Sequence, residues 1–218
     1  SYNGTTLVIG NRGDHYTNKG CVRVYKKNTS GNWEQKGSDL VGTLRDGIWG
    51  SRFGSGVDIS SDGNYLFASH GSGDYFELFK YSEVNSNWQS IGTHAPPVNS
   101  NNIGSLVALA ISNDGTKMIA RAYHTNLSGF SGNGYGIYSY TSNGSSLNNG
   151  VRITHEADLI HQLNDCKISP DGSYFSYAGK IYNWSNSGTA SVATTIVTEN
   201  IGRGSMNRDF NVYASISN

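Results

Sequence analysis

Proline occurs three times and cysteine twice in 218 residues, and only 15 % of the chain is charged. Two cysteines, Cys21 and Cys166, say little about the redox compartment, and a disulfide between them stays open. Lys plus Arg and Asp plus Glu both number 16, so the formal net charge is zero, and no basic excess is available to hold nucleic acid or an anionic membrane. No apolar run reaches the ~18 residues of a spanning helix. The opening residues lack the pattern of a secretory leader, so an exported protein is expected here as its mature chain or a fragment. What the chain does have is glycine, 28 residues of it, together with many Ser, Asn, Thr and Tyr. That mix suits short strands joined by tight polar turns and suits long helices badly.

The turns repeat. Ile59-Ser60-Ser61-Asp62-Gly63, Ile111-Ser112-Asn113-Asp114-Gly115 and Ile168-Ser169-Pro170-Asp171-Gly172 each end an alternating apolar stretch. The chain stops at Ile216-Ser217-Asn218 and starts with Asn3-Gly4-Thr5, which joined head to tail would rebuild the same turn. Before the turns stand Val57/Ile59, Leu109/Ile111, Cys166/Ile168 and Ala214/Ile216. After them come Leu7-Val8-Ile9, Leu66-Phe67-Ala68, Met118-Ile119-Ala120 and Tyr174-Phe175. A third strand repeats an apolar residue three places before an aromatic: Val22/Tyr25, Phe76/Phe79, Ile137/Tyr140 and Ile181/Trp184. A fourth opens at Gly31-Asn32-Trp33 and Ser86-Asn87-Trp88. Period-two alternation with Asp-Gly turns predicts antiparallel hairpins, and the long repeat predicts sheets arranged in a ring.

The expected fold is therefore all-β, a single-domain four-bladed β-propeller over residues 1–218. Its blades fall at about 206–218 with 1–37, 53–91, 104–154 and 162–198, and the closing blade is shared by N- and C-terminal strands.

Phe53-Gly54-Ser55-Gly56-Val57-Asp58-Ile59-Ser60, Leu7-Val8-Ile9-Gly10 and Gly20-Cys21-Val22-Arg23-Val24-Tyr25 carry a resemblance to a known family. The unit resembles the FG-GAP-like repeats of integrin α-type β-propellers, over the whole chain but most sharply in its first third. The resemblance implies adhesion and interaction modules rather than enzymes. The chain departs from the family in having no Asp-x-Asp-x-Asp-Gly calcium loop, so no metal site is carried over, and in having fewer blades.

Strand direction places the Asp-Gly turns at one end of the ring, the bottom. The second-to-third-strand loops and the connections between blades lie at the other end, the top. All six histidines are expected there: His15, His70 and His124 in loops within blades, and His94, His155 and His161 between blades. Trp49, Arg12, Asp14 and Arg45 join them. Loops on a rigid scaffold are where binding chemistry concentrates, so the predicted ligand-binding set is Trp49, Arg12, Asp14, Arg45, His70, His124, His155 and His161. Trp49 is the one unrepeated aromatic among them, a ring free to stack on a sugar or fill a partner's pocket. Arg12-Gly13-Asp14 spells a tripeptide bound by many integrins, and it also fits the Gly-Asp turn the family favours in this loop. The sequons at Asn3, Asn28, Asn143 and Asn183 fall at the bottom and that at Asn126 at the top. Repetition of Trp33 and Trp88 at one position marks them as packing residues. Cys166 fills a core slot, and Cys21 opens a strand in the blade read as its neighbour.

No metal-ligand spacing and no Gly-x-Ser-x-Gly elbow occurs, so no catalytic residue and no cofactor are expected. The expected function is a non-enzymatic extracellular or surface module that binds a protein or glycan through its top loops, without nucleic-acid binding or membrane insertion. Two alternatives stand beside it: a structural subunit of a virion or cell-surface filament, and a metal-dependent or hydrolytic enzyme at the channel mouth.

Overall fold

The Ser-x-Asp-Gly turns close as hydrogen-bonded units. Ser60 Oγ donates to Asp62 Oδ1 at 2.6 Å, Asn64 N donates to the same oxygen at 3.0 Å, and Tyr65 N donates to Ser60 Oγ at 2.9 Å. The same three bonds recur at Ser112/Asp114/Thr116/Lys117 and at Ser169/Asp171/Ser173/Tyr174. Each turn needs a left-handed residue, and Gly63, Gly115 and Gly172 supply φ of 69, 72 and 67°, a conformation open to glycine at little cost.

In the computed structural model, residues 1, 3–13, 19–43, 51–71, 75–94, 103–124, 134–148, 150–156, 166–177, 180–184, 191–195, 204–206 and 213–215 are described. Four antiparallel four-stranded sheets follow one another along the chain. The first has β1 (Thr6–Asn11), β2 (Cys21–Lys27) and β3 (Trp33–Gln35) in order, with β4 (Leu40–Val41) also on β2. The second runs β5 (Phe53–Ile59), β6 (Tyr65–His70), β7 (Tyr75–Ser82), β8 (Asn87–His94). The third runs β9 (Ile103–Ile111), β10 (Lys117–His124), β11 (Gly134–Thr141), β12 (Val151–Glu156). The fourth runs β13 (Cys166–Ile168), β14 (Tyr174–Tyr177), β15 (Lys180–Asn183), β16 (Val192–Thr195). These are the four blades of an all-β propeller, each built from strands adjacent in sequence.

Two features bear on the expected closure, whose Ile216-Ser217-Asn218 end lies outside the described residues. The first turn is complete within the amino-terminal residues: Ser1 Oγ donates to Asn3 Oδ1 at 2.7 Å, Thr5 N donates to the same oxygen at 3.0 Å, and Thr6 N donates to Ser1 Oγ at 3.0 Å. Asn3 replaces aspartate because only its acceptor oxygen is used. The Ser1 ammonium donates to Thr6 O at 2.6 Å, where Ser60 N donates to Tyr65 O. In the carboxy-terminal segment, β18 (Tyr213–Ser215) pairs antiparallel with β17 (Gly204–Met206). Among the described residues no strand pairs with the side of β1 that faces away from β2.

The core lies between blades. Val8, Val22 and Val24 of the first sheet meet Phe53, Ile59, Leu66, Ala68 and Phe79 of the second. Phe67, Phe76 and Leu78 meet Met118, Ala120, Tyr138 and Tyr140 of the third. Ala108, Ala110, Ile119 and Ile137 meet Cys166, Ile168, Phe175, Tyr177 and Tyr182 of the fourth. Alternation along each strand sends successive side chains to opposite faces, so one strand feeds two of these cores. Polar links stitch the blades together at the bottom: Ser61 N donates to Asn113 O at 3.0 Å, and Asn113 N to Pro170 O at 3.2 Å. The Phe-Gly pair has its own task here. A β-carbon on Gly10 would collide with the Gly54 carbonyl, and Gly54 has φ 81°, so the pair lets β1 and β5 approach closely while Phe53 is buried.

Both cysteines are buried and neither is in a disulfide. They sit in the first and fourth sheets, and Cys166 belongs to the core as its sequence position implies.

Candidate functional site at the upper rim

The top end of the ring is reached by the ends of β1, β6, β8, β10 and β12 and the starts of β5, β7, β9 and β11. Its best-defined part lies where the first two sheets meet. His70, expected in a surface loop, is instead the last residue of β6 and only 3 % exposed. Its ring stacks on Tyr75, centroids 3.9 Å apart, and lies 4.4 Å from the Phe53 ring. Its Nε2 is 3.0 Å from Glu77 Oε2. The ladder dictates this cluster, because His70 pairs with both Phe53 and Tyr75 across β5 and β7. His70 is therefore a buried strand-end residue of the rim rather than a surface-loop residue. Tyr75 carries its hydroxyl outward to Thr43 Oγ1 at 3.4 Å. Glu77, Tyr75 and Thr43 were not singled out from the sequence. The alternation that buries Phe76 and Leu78 was the available signal for Tyr75 and Glu77.

The other predicted residues divide by where they fall. Arg12 is exposed in the turn after β1, where Gly13 N donates to Asn11 Oδ1 at 3.2 Å. His124 and His155 belong to strands β10 and β12 and not to loops. They come to the same end of the third sheet, since His124 pairs with Gly134 and His155 with Gly136. His94 ends β8, with Nε2 2.9 Å from Leu147 O. Asp14, His15, Arg45, Trp49 and His161 lie outside the described residues, as does the sequon at Asn126.

At the bottom the polar groups are already engaged. The Asp171 carboxyl is held down at about 2 by Ser173, through its hydroxyl and its backbone N–H, and by the Ser169 hydroxyl. Burial alone would raise Asp114, but hydrogen bonds from Ser112 and Thr116 outweigh it and its carboxyl is lowered. The sequon asparagines share this pattern. Asn28 Nδ2 donates to Glu34 Oε1 at 2.7 Å, Asn183 Nδ2 to Ser191 Oγ at 2.9 Å, and Asn143 Oδ1 accepts from Ser145 N at 2.9 Å. Among the described residues no three His, Cys, Asp or Glu side chains converge as a metal site, and no helix is long and apolar enough to cross a membrane.

No protein-family model and no curated protein matches the chain. Solved structures do resemble it. One is a protein from Lactobacillus plantarum, 16 % identical, aligned over 82 % of this chain and 49 % of that one with a TM-score of 0.52. Another is TolB from Acinetobacter baumannii, 15 % identical, over 100 % of this chain and 48 % of that one, at 0.50. The fold is that of a β-propeller. The chain spans about half the length of these two structures. At such identities the likeness carries the fold alone, and what those proteins do is not transferred.

Proposed function

We propose that this propeller is a non-enzymatic interaction module of the FG-GAP-like kind, extracellular or on a particle surface, which binds a protein or a glycan through its top loops. The observation that carries the reading is the contrast between the two ends. At the bottom, Asp62, Asp114, Asp171 and Asn3 each spend an acceptor oxygen within their own turns. At the top, the segments between strands are longer and begin from rigid strand ends, the arrangement that presents recognition residues with little ordering cost. Glycans on Asn3, Asn28, Asn143 or Asn183 would coat the bottom and leave the top open. Recognition rests on Trp49, Arg45 and Arg12, with the histidine-bearing strand ends as their support. Screening the purified protein against glycan and protein arrays, followed by Trp49→Ala and Arg45→Ala on any hit, tests this. Affinity unaffected by both substitutions would remove the top loops from the site.

A further inference from the structure

The bottom turn of the second blade departs from the others at the residue after its glycine, which is Asn64 where the rest have Thr5, Thr116 and Ser173. Those three hydroxyls donate to the acidic or amide residue of their own turn: Thr5 to Asn3 Oδ1 at 2.7 Å, Thr116 to Asp114 Oδ1 at 2.8 Å, and Ser173 to Asp171 Oδ2 at 2.7 Å. Asn64 Nδ2 makes the equivalent bond to Asp62 Oδ2 at 3.1 Å. An amide adds what a hydroxyl lacks, a carbonyl carbon, and its oxygen Oδ1 accepts from the Lys36 ammonium at 2.8 Å. The backbone of Asn64 is fixed on both sides, its N donating to Asp62 Oδ1 at 3.0 Å and its O accepting from Tyr81 N at 2.9 Å.

Lys36 follows β3 in the first blade and is only 7 % exposed. Beyond Asn64 its ammonium meets the Gly63 carbonyl and the faces of Tyr81 and Trp88. Among the described residues no carboxylate forms an ion pair with it. Lys117 makes the matching bond to Gly172 O at 2.9 Å, but Ser173 beyond that glycine offers no amide. Burial lowers the Lys36 pKa, and the charge of Lys26 adds to the effect, which enlarges the fraction of neutral amine, the nucleophilic form. A desolvated amine, an amide held within hydrogen-bond reach and a carboxylate on the nitrogen of that amide are the parts an acyl transfer from one nitrogen to another requires.

We propose that Lys36 and Asn64 join in an isopeptide bond, formed by the folded chain itself, that ties the first blade to the second. Before it reacts, Lys36 is the ammonium that these acceptors hold. After loss of a proton, Nζ attacks Asn64 Cγ and the C–O π electrons move onto Oδ1. The carbonyl re-forms as the Cγ–Nδ2 bond breaks, and Asp62 Oδ2, already on Nδ2, relays the protons from Nζ to the departing nitrogen. One ammonium and one amide become one secondary amide and one ammonium ion, so atoms and charge balance without an oxidant or a cofactor. The new bond spans 28 residues of chain and constrains the unfolded state as a disulfide does, independently of the redox compartment.

Mass spectrometry of the purified 218-residue chain, denatured after folding, tests the bond. The expected mass is lower than the sequence mass by one ammonia, and proteolysis should release a branched peptide that joins Lys36 to Asn64. Lys36→Arg and Asn64→Ala should each return the chain to its sequence mass. Asp62→Asn, an amide of the kind Asn3 already supplies in the first turn, should leave most chains unreacted. A native chain that is folded by circular dichroism and carries its full sequence mass would overturn the proposal, whether or not any variant folds. So would a loss of ammonia that persists in Lys36→Arg, or that maps to a cyclised asparagine at an Asn-Gly pair such as Asn143-Gly144. Complete reaction in Asp62→Asn would overturn the proton route through that carboxylate.

Discussion

Trp88 Nε1 donates to the carbonyl oxygen of Lys36 at 2.8 Å, and the Lys36 ammonium returns to lie 4.2 Å over the Tyr81 ring and 5.6 Å over the Trp88 ring. The same ammonium donates to Gly63 O at 2.7 Å and to Asn64 Oδ1 at 2.8 Å. Residues from the outer part of the first blade thus grip both the outer strand and the bottom turn of the second. Burial lowers the Lys36 pKa, so the charge is held at a cost that these bonds offset.

The grip predicts a stability effect. Trp88→Phe keeps most of the ring contact but strands a buried carbonyl, which costs about 1–3 kcal/mol. Chemical denaturation should show a lower midpoint with an unchanged slope. An unchanged midpoint would show that water replaces the indole donor without loss.

A second prediction concerns the joint between the second and third blades. Phe67 is fully buried, with its ring 5.5 Å from Phe76 and 6.0 Å from Tyr140. Phe67→Ala removes contacts to both blades and leaves a void, a loss of about 3–5 kcal/mol. A loss below about 1 kcal/mol in equilibrium unfolding would mean that the two blades repack around the gap.

Acid stability follows from the bottom turns. The Asp171 carboxyl lies at about 2 in the folded chain against an ordinary 3.8. A carboxyl lowered by folding stabilises the native state above its ordinary value, and that contribution is lost as pH falls from 3.8 through about 2. The site is exposed, so screening limits the contribution to about 1 kcal/mol or less. Asn3 demonstrates that an amide fits this turn. Asp171→Asn should therefore fold normally and show a shallower fall in melting temperature between pH 4 and pH 2, to a degree set by the single lost carboxylate. Parallel melting curves for the two proteins across that range would contradict the assignment.

The strands, their order and the three Asp-Gly turns were legible because each repeats a local pattern several times. Val57/Ile59 and Leu109/Ile111 announce their strands by alternation alone. In the first turn Ser1 supplies the hydroxyl and, through its ammonium, the backbone donor, while Ile216-Ser217-Asn218 lie outside the described residues. Trp33 and Trp88 illustrate a different limit. Identical positions in the repeat differ in burial because burial depends on the neighbouring blade, which no local pattern encodes. His70 was placed on the correct end of the ring, but its burial depends on Phe53 and Tyr75 arriving from two other strands. For the top loops themselves, Trp49 and Arg45 are proposed as recognition residues from their place in the 38–52 connection, and they lie outside the described residues.

The proposed reading assigns His70 to support and Trp49 to recognition, and two substitutions test that assignment. His70→Ala deletes a buried ring stacked on Tyr75 and packed on Phe53, and it leaves Glu77 without its imidazole partner. It should lower stability by about 1–3 kcal/mol, in keeping with the loss of a buried aromatic contact and a hydrogen bond. Affinity for any ligand should then fall only as far as the folded fraction falls. Trp49→Ala should do the reverse, leaving the melting temperature unchanged while weakening binding at least about tenfold, as truncation of an aromatic anchor does. Measured side by side by thermal melting and by titration at a temperature where both variants are folded, the pair has a clear reading. A large affinity loss for His70→Ala at full folding would return that histidine to the contact surface, whereas unchanged binding for Trp49→Ala would move the recognition site away from the 38–52 connection.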